Sequence, residues 1–124
     1  MKHLILLSLL VAGVSANTYA DSCVEMEGKY KSMPSHADDL IAKRVDFKLP
    51  SHTLDRFQSR ACAIVSFHVD GSGSAHDMRV VAYSPSQGVG RAALETLRGY
   101  EFVPGDYKGR LFVLMLNFKK FELK

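Results

Sequence analysis

The chain has no tryptophan, only two cysteines and only four prolines in 124 residues. Four scattered prolines exclude a Pro-rich spacer or polyproline rod. Charge of one sign is also scarce, because 16 basic and 13 acidic residues are interspersed and leave a net +3. No dense Lys/Arg cluster interleaves with aromatic residues, so nucleic acid is not an expected partner. Lys119, Lys120 and Lys124 read as a solvated strand end and not as a membrane patch. Residues 4–14 form an apolar run that falls short of the roughly 20 residues a membrane-spanning helix needs. No integral membrane anchor is expected.

Chemistry-bearing motifs are equally thin. Ser84 and Ser86 lack the Gly-x-Ser-x-Gly pattern of a nucleophile elbow. The segment Asp70-Gly71-Ser72-Gly73-Ser74 lacks the acidic repeats of a calcium loop and the Gly-Lys-Ser/Thr ending of a phosphate loop. A hairpin turn explains it fully. His36 and His52 show no ligand spacing. His68 and His76 flank that turn; they oppose each other if the loop has five residues, and do not if it has four. Two histidines without a third donor make a thin site. The five scattered methionines read as packing. The expectation is a protein with no catalytic residues, no metal and no cofactor.

What is present begins with a leader. Lys2, the apolar run at 4–14 and the small residues around Thr18-Tyr19-Ala20 read as a secretory signal peptide over 1–20. Cleavage after Ala20 or after Ala16 both fit. Ala20-Asp21-Ser22 before Cys23 lacks the leucine-like residue of a lipid-attachment box. Residues 21–124 then make one small exported domain. In an exported chain the pair Cys23 and Cys62 reads as one disulfide, two buried thiols being the alternative. It would close a loop of about 40 residues, worth roughly 3–4 kcal/mol.

Residues 21–48 read as an N-terminal segment carrying a short helix. Ser35 can cap it, Asp38 and Asp39 fall in its first turn, and Lys43 and Arg44 in its last. A second helix can begin at Ser51 and run through Leu54 and Phe57 to Arg60. Residues 49–124 read as the main domain. A first strand covers 62–69, with Ala63, Val65, Phe67 and Val69 on one face and Cys62, Ile64, Ser66 and His68 on the other. A second covers 75–83, its alternation broken at Val80 and Val81 by a bulge or a two-sided strand. A helix follows over 89–98 with Val89, Ala93, Leu94 and Leu97 on one stripe. Gly99 stands where a helix end takes a left-handed residue. Tyr100 and Phe102 then close the core.

The last strand spans 110–121. Leu111, Val113 and Met115 lie on one face, and Phe112, Leu114, Leu116 and Phe118 on the other. A hairpin followed by a helical return places it beside the first strand. The expected fold is α+β, a small three-stranded antiparallel sheet in the order second-first-third with helices packed on one face. The last strand is then an edge, which is a hazard unless used or protected. Strand addition is one such use.

Taken in order, Leu49-Pro50, Phe67-x-Val69-Asp70-x-x-Gly73, Ala92-Ala93-Leu94 and Tyr100-x-Phe102-x-Pro104 resemble the C-terminal domain of the TonB family over about residues 49–121. The family prefers Trp-x-Phe-x-Pro where this chain has Tyr100, Phe102 and Pro104. The resemblance implies a periplasmic, non-enzymatic domain that captures the TonB box of an outer-membrane receptor alongside its last strand. It carries that role onto Leu111, Phe112, Val113, Leu114, Met115, Leu116, Asn117 and Phe118. The transmembrane helix and Pro-rich spacer of a force-transmitting family member have no counterpart in this sequence. Another periplasmic protein could fill the partner's place. So could a second copy, with the edge serving homodimerisation and no receptor role.

Overall fold

The alternating β-branched and aromatic residues of 60–69 build the middle of the fold. A computed structural model of the chain describes residues 22–50, 53–54 and 60–119. The expected leader at 1–20 lies outside the described residues. So does most of the helix expected from Ser51, Phe57 included; Leu54 is described and buried. The elements run α1 (Ser22–Ser32), a 3-10 turn (Asp38–Leu40), β1 (Ile41–Lys43), β2 (Arg60–Val69), β3 (Ala75–Ser84), α2 (Gln87–Arg98), β4 (Glu101–Phe102) and β5 (Phe112–Lys119).

The fold is α+β, and its main sheet has the expected order β3-β2-β5, antiparallel throughout. β2 is central and buried from Ala61 to Phe67. Its Ala63, Val65, Phe67 and Val69 meet Val89, Ala93 and Leu97 of α2 in the main core. Tyr100 and Phe102 close that core, with the Phe102 ring 5.3 Å from Phe67. Leu94 is half-buried against it, and Pro104 is exposed.

The opposite face is covered as well. Cys62 and Ile64 of β2 pack with Cys23 and Met26 of α1 and with Val113 of β5. The expectation of helices on one face therefore holds for α2 alone; α1 lies on the other. Cys23 and Cys62 form a disulfide, with Cα atoms 5.9 Å apart, inside the range such a bridge spans. α1 escaped the periodicity reading because its inward residues are only Cys23, Met26 and Tyr30.

The helix expected over 37–44 is not formed. A single turn, with the Leu40 amide donating to the Ala37 carbonyl at 2.9 Å, gives way to β1. β1 pairs antiparallel with β4, Ile41 opposite Phe102. Leu40 and Ile41 pack onto the main core, and burying them in extended chain outweighs one more helical turn on a surface. Gly99 also differs from expectation. Its φ of −90° and ψ of −6° are right-handed, and a Cβ there would sit 2.9 Å from Val45 Cγ2. Close approach to the Val45 side chain, not handedness, favours the glycine.

The hairpin turn is held by one carboxylate. Asp70 Oδ1 accepts from the Ser72 amide at 3.0 Å, the Ser72 hydroxyl at 2.7 Å and the Ser74 amide at 3.0 Å. These bonds, the Ser72 hydroxyl's foremost, hold its pKa below the ordinary carboxylate value. The Gly73 carbonyl accepts the Phe102 amide at 2.9 Å, which docks the turn onto β4.

Candidate functional site: the two edges of the sheet

Order β3-β2-β5 leaves β3 and β5 as edges, and they differ in kind. β3 is bulged twice. Its register against β2 slips at Val81, as the broken alternation suggested, and again at Asp77 and Met78, where Asp77 takes a φ of 53°. Bulges twist an edge and spoil it as a template. β5 pairs with β2 without a slip from Arg60↔Lys119 to Phe67↔Phe112.

The side chains of β5 are mostly committed to the interior. Phe112, Leu114 and Leu116 are buried in the main core, and Phe118 packs against it. Val113 and Met115 join the second cluster. Asn117 is exposed, and so is Leu111, which precedes the strand. What β5 can offer a partner is therefore its backbone. In an antiparallel pair the amides and carbonyls of alternate residues point away from the neighbour. Val113 bonds outward, which places the outward set at Val113, Met115, Asn117 and Lys119.

Part of that edge is already taken. The Val113 amide donates to the Ser35 carbonyl at 3.0 Å, and the Val113 carbonyl accepts the Ala37 amide at 2.9 Å. Residues 35–37 thus lie on β5 as a one-residue parallel bridge centred on His36. The Tyr30 hydroxyl donates to Asp38 Oδ1 at 2.5 Å and lies 3.3 Å from the Val113 carbonyl oxygen. The Tyr30 and His36 rings stack at 4.1 Å, 7° from parallel, and His36 Nε2 donates to the Tyr30 carbonyl at 2.6 Å. No local pattern in Ser35-His36-Ala37 announces this contact; it forms only once the sheet exists. Beyond it, Met115 and Asn117 border a groove walled by Tyr30, Lys31, His36 and Asp38. Arg60 reaches Glu27 at 3.4 Å and Asn117 at 3.2 Å there, a part-exposed pair worth at most about 1 kcal/mol.

Burial first, then the bond to Asp38 and its charge, push the Tyr30 hydroxyl well above the usual tyrosine value. A raised folded pKa stabilises fully below the unfolded value, about 10. That contribution is lost as pH climbs through the folded pKa. Tyr30→Phe should lose about 1 kcal/mol in urea unfolding at pH 7. The gap from the parent should narrow by about pH 11; a constant gap would show that the hydroxyl does not titrate differently on folding.

His68 and His76 face each other across the five-residue loop, ring centres 5.7 Å apart. His68 Nδ1 donates to the Arg110 carbonyl at 2.8 Å, and His76 Nδ1 lies 3.3 Å from Asp77. Among the described residues, no three His, Cys, Asp or Glu side chains converge as metal ligands. Nor, among them, is any helix long and apolar enough to cross a membrane.

No family model matches the chain, and no curated protein matches it. Among solved structures, it is similar to the C-terminal domain of TonB from Pseudomonas aeruginosa, determined by NMR in solution. Identity is 21%, the TM-score is 0.48, and the match covers 75% of this chain and 99% of that one.

Proposed function

We propose that this chain is a periplasmic protein-binding module that captures an extended peptide by strand addition to the outer edge of β5, in the service of TonB-dependent outer-membrane transport. The observation that carries this reading is the contrast between the edges. β3 is bulged twice, whereas β5 is regular over its whole length and already holds a one-residue backbone bridge at Val113. Regular outward amides and carbonyls are the requirement of strand addition. The sequence resemblance over 49–121 supplies the class of partner, the TonB box of an outer-membrane receptor. The disulfide suits an oxidising compartment, and the signal-peptide pattern at 1–20 supplies the export route.

The test is an NMR titration of the oxidised domain with receptor TonB-box peptides and scrambled controls. Saturable amide shifts at Asn117 and its β5 neighbours with the true boxes alone are expected. Asn117→Pro removes one outward amide at an exposed position and should weaken binding about tenfold. No shift at millimolar peptide would overturn receptor capture. Shifts that depend on protein concentration without peptide would replace it with pairing of two copies along the same edge.

A further inference from the structure

Residues 35–37 cover one end of the edge that the proposed strand capture uses, and the manner in which they are held decides what that means. A plug meant to leave would be bound lightly. This segment is bound from every side. The Ser35 carbonyl and the Ala37 amide both bond Val113. The Ala37 side chain is fully buried in the main core. His36 stacks on Tyr30 and donates to its carbonyl. Tyr30 belongs to α1, which the Cys23–Cys62 disulfide ties to the centre of the sheet. On its other side the segment runs through the Asp38–Leu40 turn into β1, and the Leu40 carbonyl accepts the Val103 amide at 2.8 Å. Lifting it would break contacts with α1, β1, β4 and β5 together.

We infer that residues 35–37 are a fixed stop, which confines a captured strand to the 115–119 half of β5 and so selects short partner segments. This rests on strand capture at β5. With Val113 occupied, the outward groups that remain on β5 among the described residues are the amides and carbonyls of Met115, Asn117 and Lys119. At about 3.4 Å per residue they serve an extended segment of roughly five residues. The stacked Tyr30 and His36 rings stand beside the groove at its closed end. A partner must therefore terminate or turn away opposite Met115. A long uninterrupted strand gains nothing from its extra residues.

The prediction is tested with one receptor TonB-box peptide, blocked at both ends and made in lengths of five, seven and nine residues. In the oxidised parent protein, affinity should level off at five residues, the nine-residue peptide binding within about twofold. The Val113 amide should stay protected from hydrogen exchange and unshifted while Asn117 and Lys119 shift. Ala37→Pro removes the donor to the Val113 carbonyl, so the nine-residue peptide should then gain about tenfold over the five-residue one. If Ala37→Pro does not fold, the length series and Val113 exchange in the parent decide alone. Loss of Val113 protection on binding, or a tenfold gain from five to nine residues in the parent, would show that the segment yields. The stop would then be overturned, with capture left standing. Absence of shifts with all three lengths would remove capture itself, and the stop with it.

Discussion

Gly73→Ala should be among the most damaging single changes in the described part of this protein, costing at least about 3 kcal/mol. Two effects add. Gly73 has a φ of +94°, where an alanine is strained by about 1–2 kcal/mol. In addition, a Cβ built there would lie 2.1 Å from the Phe102 carbonyl oxygen. The Cβ position is fixed by the backbone and the oxygen it meets is backbone, so no side-chain rotation relieves the clash. Relief requires β4 to move, yet Phe102 is buried against Phe67 and paired with Ile41 of β1. The same movement stretches the bond from the Phe102 amide to the Gly73 carbonyl. Thermal unfolding should show a fall of about 12 °C or more for a domain this size. Gly109→Ala is the control. Its φ is +74° with nothing within 4 Å of the added Cβ, so it should cost only about 1–2 kcal/mol. Equal losses for the two variants would show that the turn does not dock on β4 as described.

Opening the Cys23–Cys62 bridge should be comparably costly. The two residues are 39 apart in sequence, and the loop-entropy relation assigns such a bridge about 4 kcal/mol. The structural consequence is specific. α1 has 11 residues, too few to be stable alone in water, and its inward contacts are Cys23, Met26 and Tyr30. Reduction, or the double change Cys23→Ala with Cys62→Ala, should therefore release α1 first and uncover Ile64, Val113 and Met115. Urea unfolding should shift by about 4 kcal/mol, and the α1 amides should lose hydrogen-exchange protection before those of β2. Thiol titration of the unfolded, unreduced protein should find no free thiol. A reduced protein with an unchanged urea midpoint would mean that packing, and not the bridge, holds α1.

The parts of this fold legible in the sequence are those whose burial is two-sided or strictly periodic. β2 reads through its alternation, with Val65 and Phe67 facing α2 and Ile64 facing α1. α2 reads through Val89, Ala93 and Leu97. The failed alternation at Val80 and Val81 marks an irregularity, a bulge or a two-sided strand, and the register slip at Val81 shows it to be the bulge. The order β3-β2-β5 follows from a hairpin and one helical return. The illegible parts are those decided at long range. Ile41 becomes a strand because Phe102 waits opposite it, whereas the local signals of Ser35, Asp38 and Asp39 favour a helix. α1 exists because a cysteine near its start finds Cys62. The second bulge, at Asp77 and Met78, is carried by Asp77 at positive φ, but a single aspartate between polar neighbours does not announce it. At the candidate site, the edge position of β5 was deducible from connectivity. Its partial occupation by residues 35–37 was not, since three unremarkable residues acquire that role only from what surrounds them.

The unlike edges of the sheet also bear on how copies of this protein could associate. Head-to-tail growth of a sheet into filaments needs every copy to present both a donor edge and an acceptor edge. Here β3 is bent out of template geometry by Asp77 and Val81, and β5 has one end closed. Any association through the sheet must join β5 to β5, and such a pair has no regular edge left among the described residues. It stops at two. The edge that the proposed strand capture uses would thereby be kept from seeding a fibre.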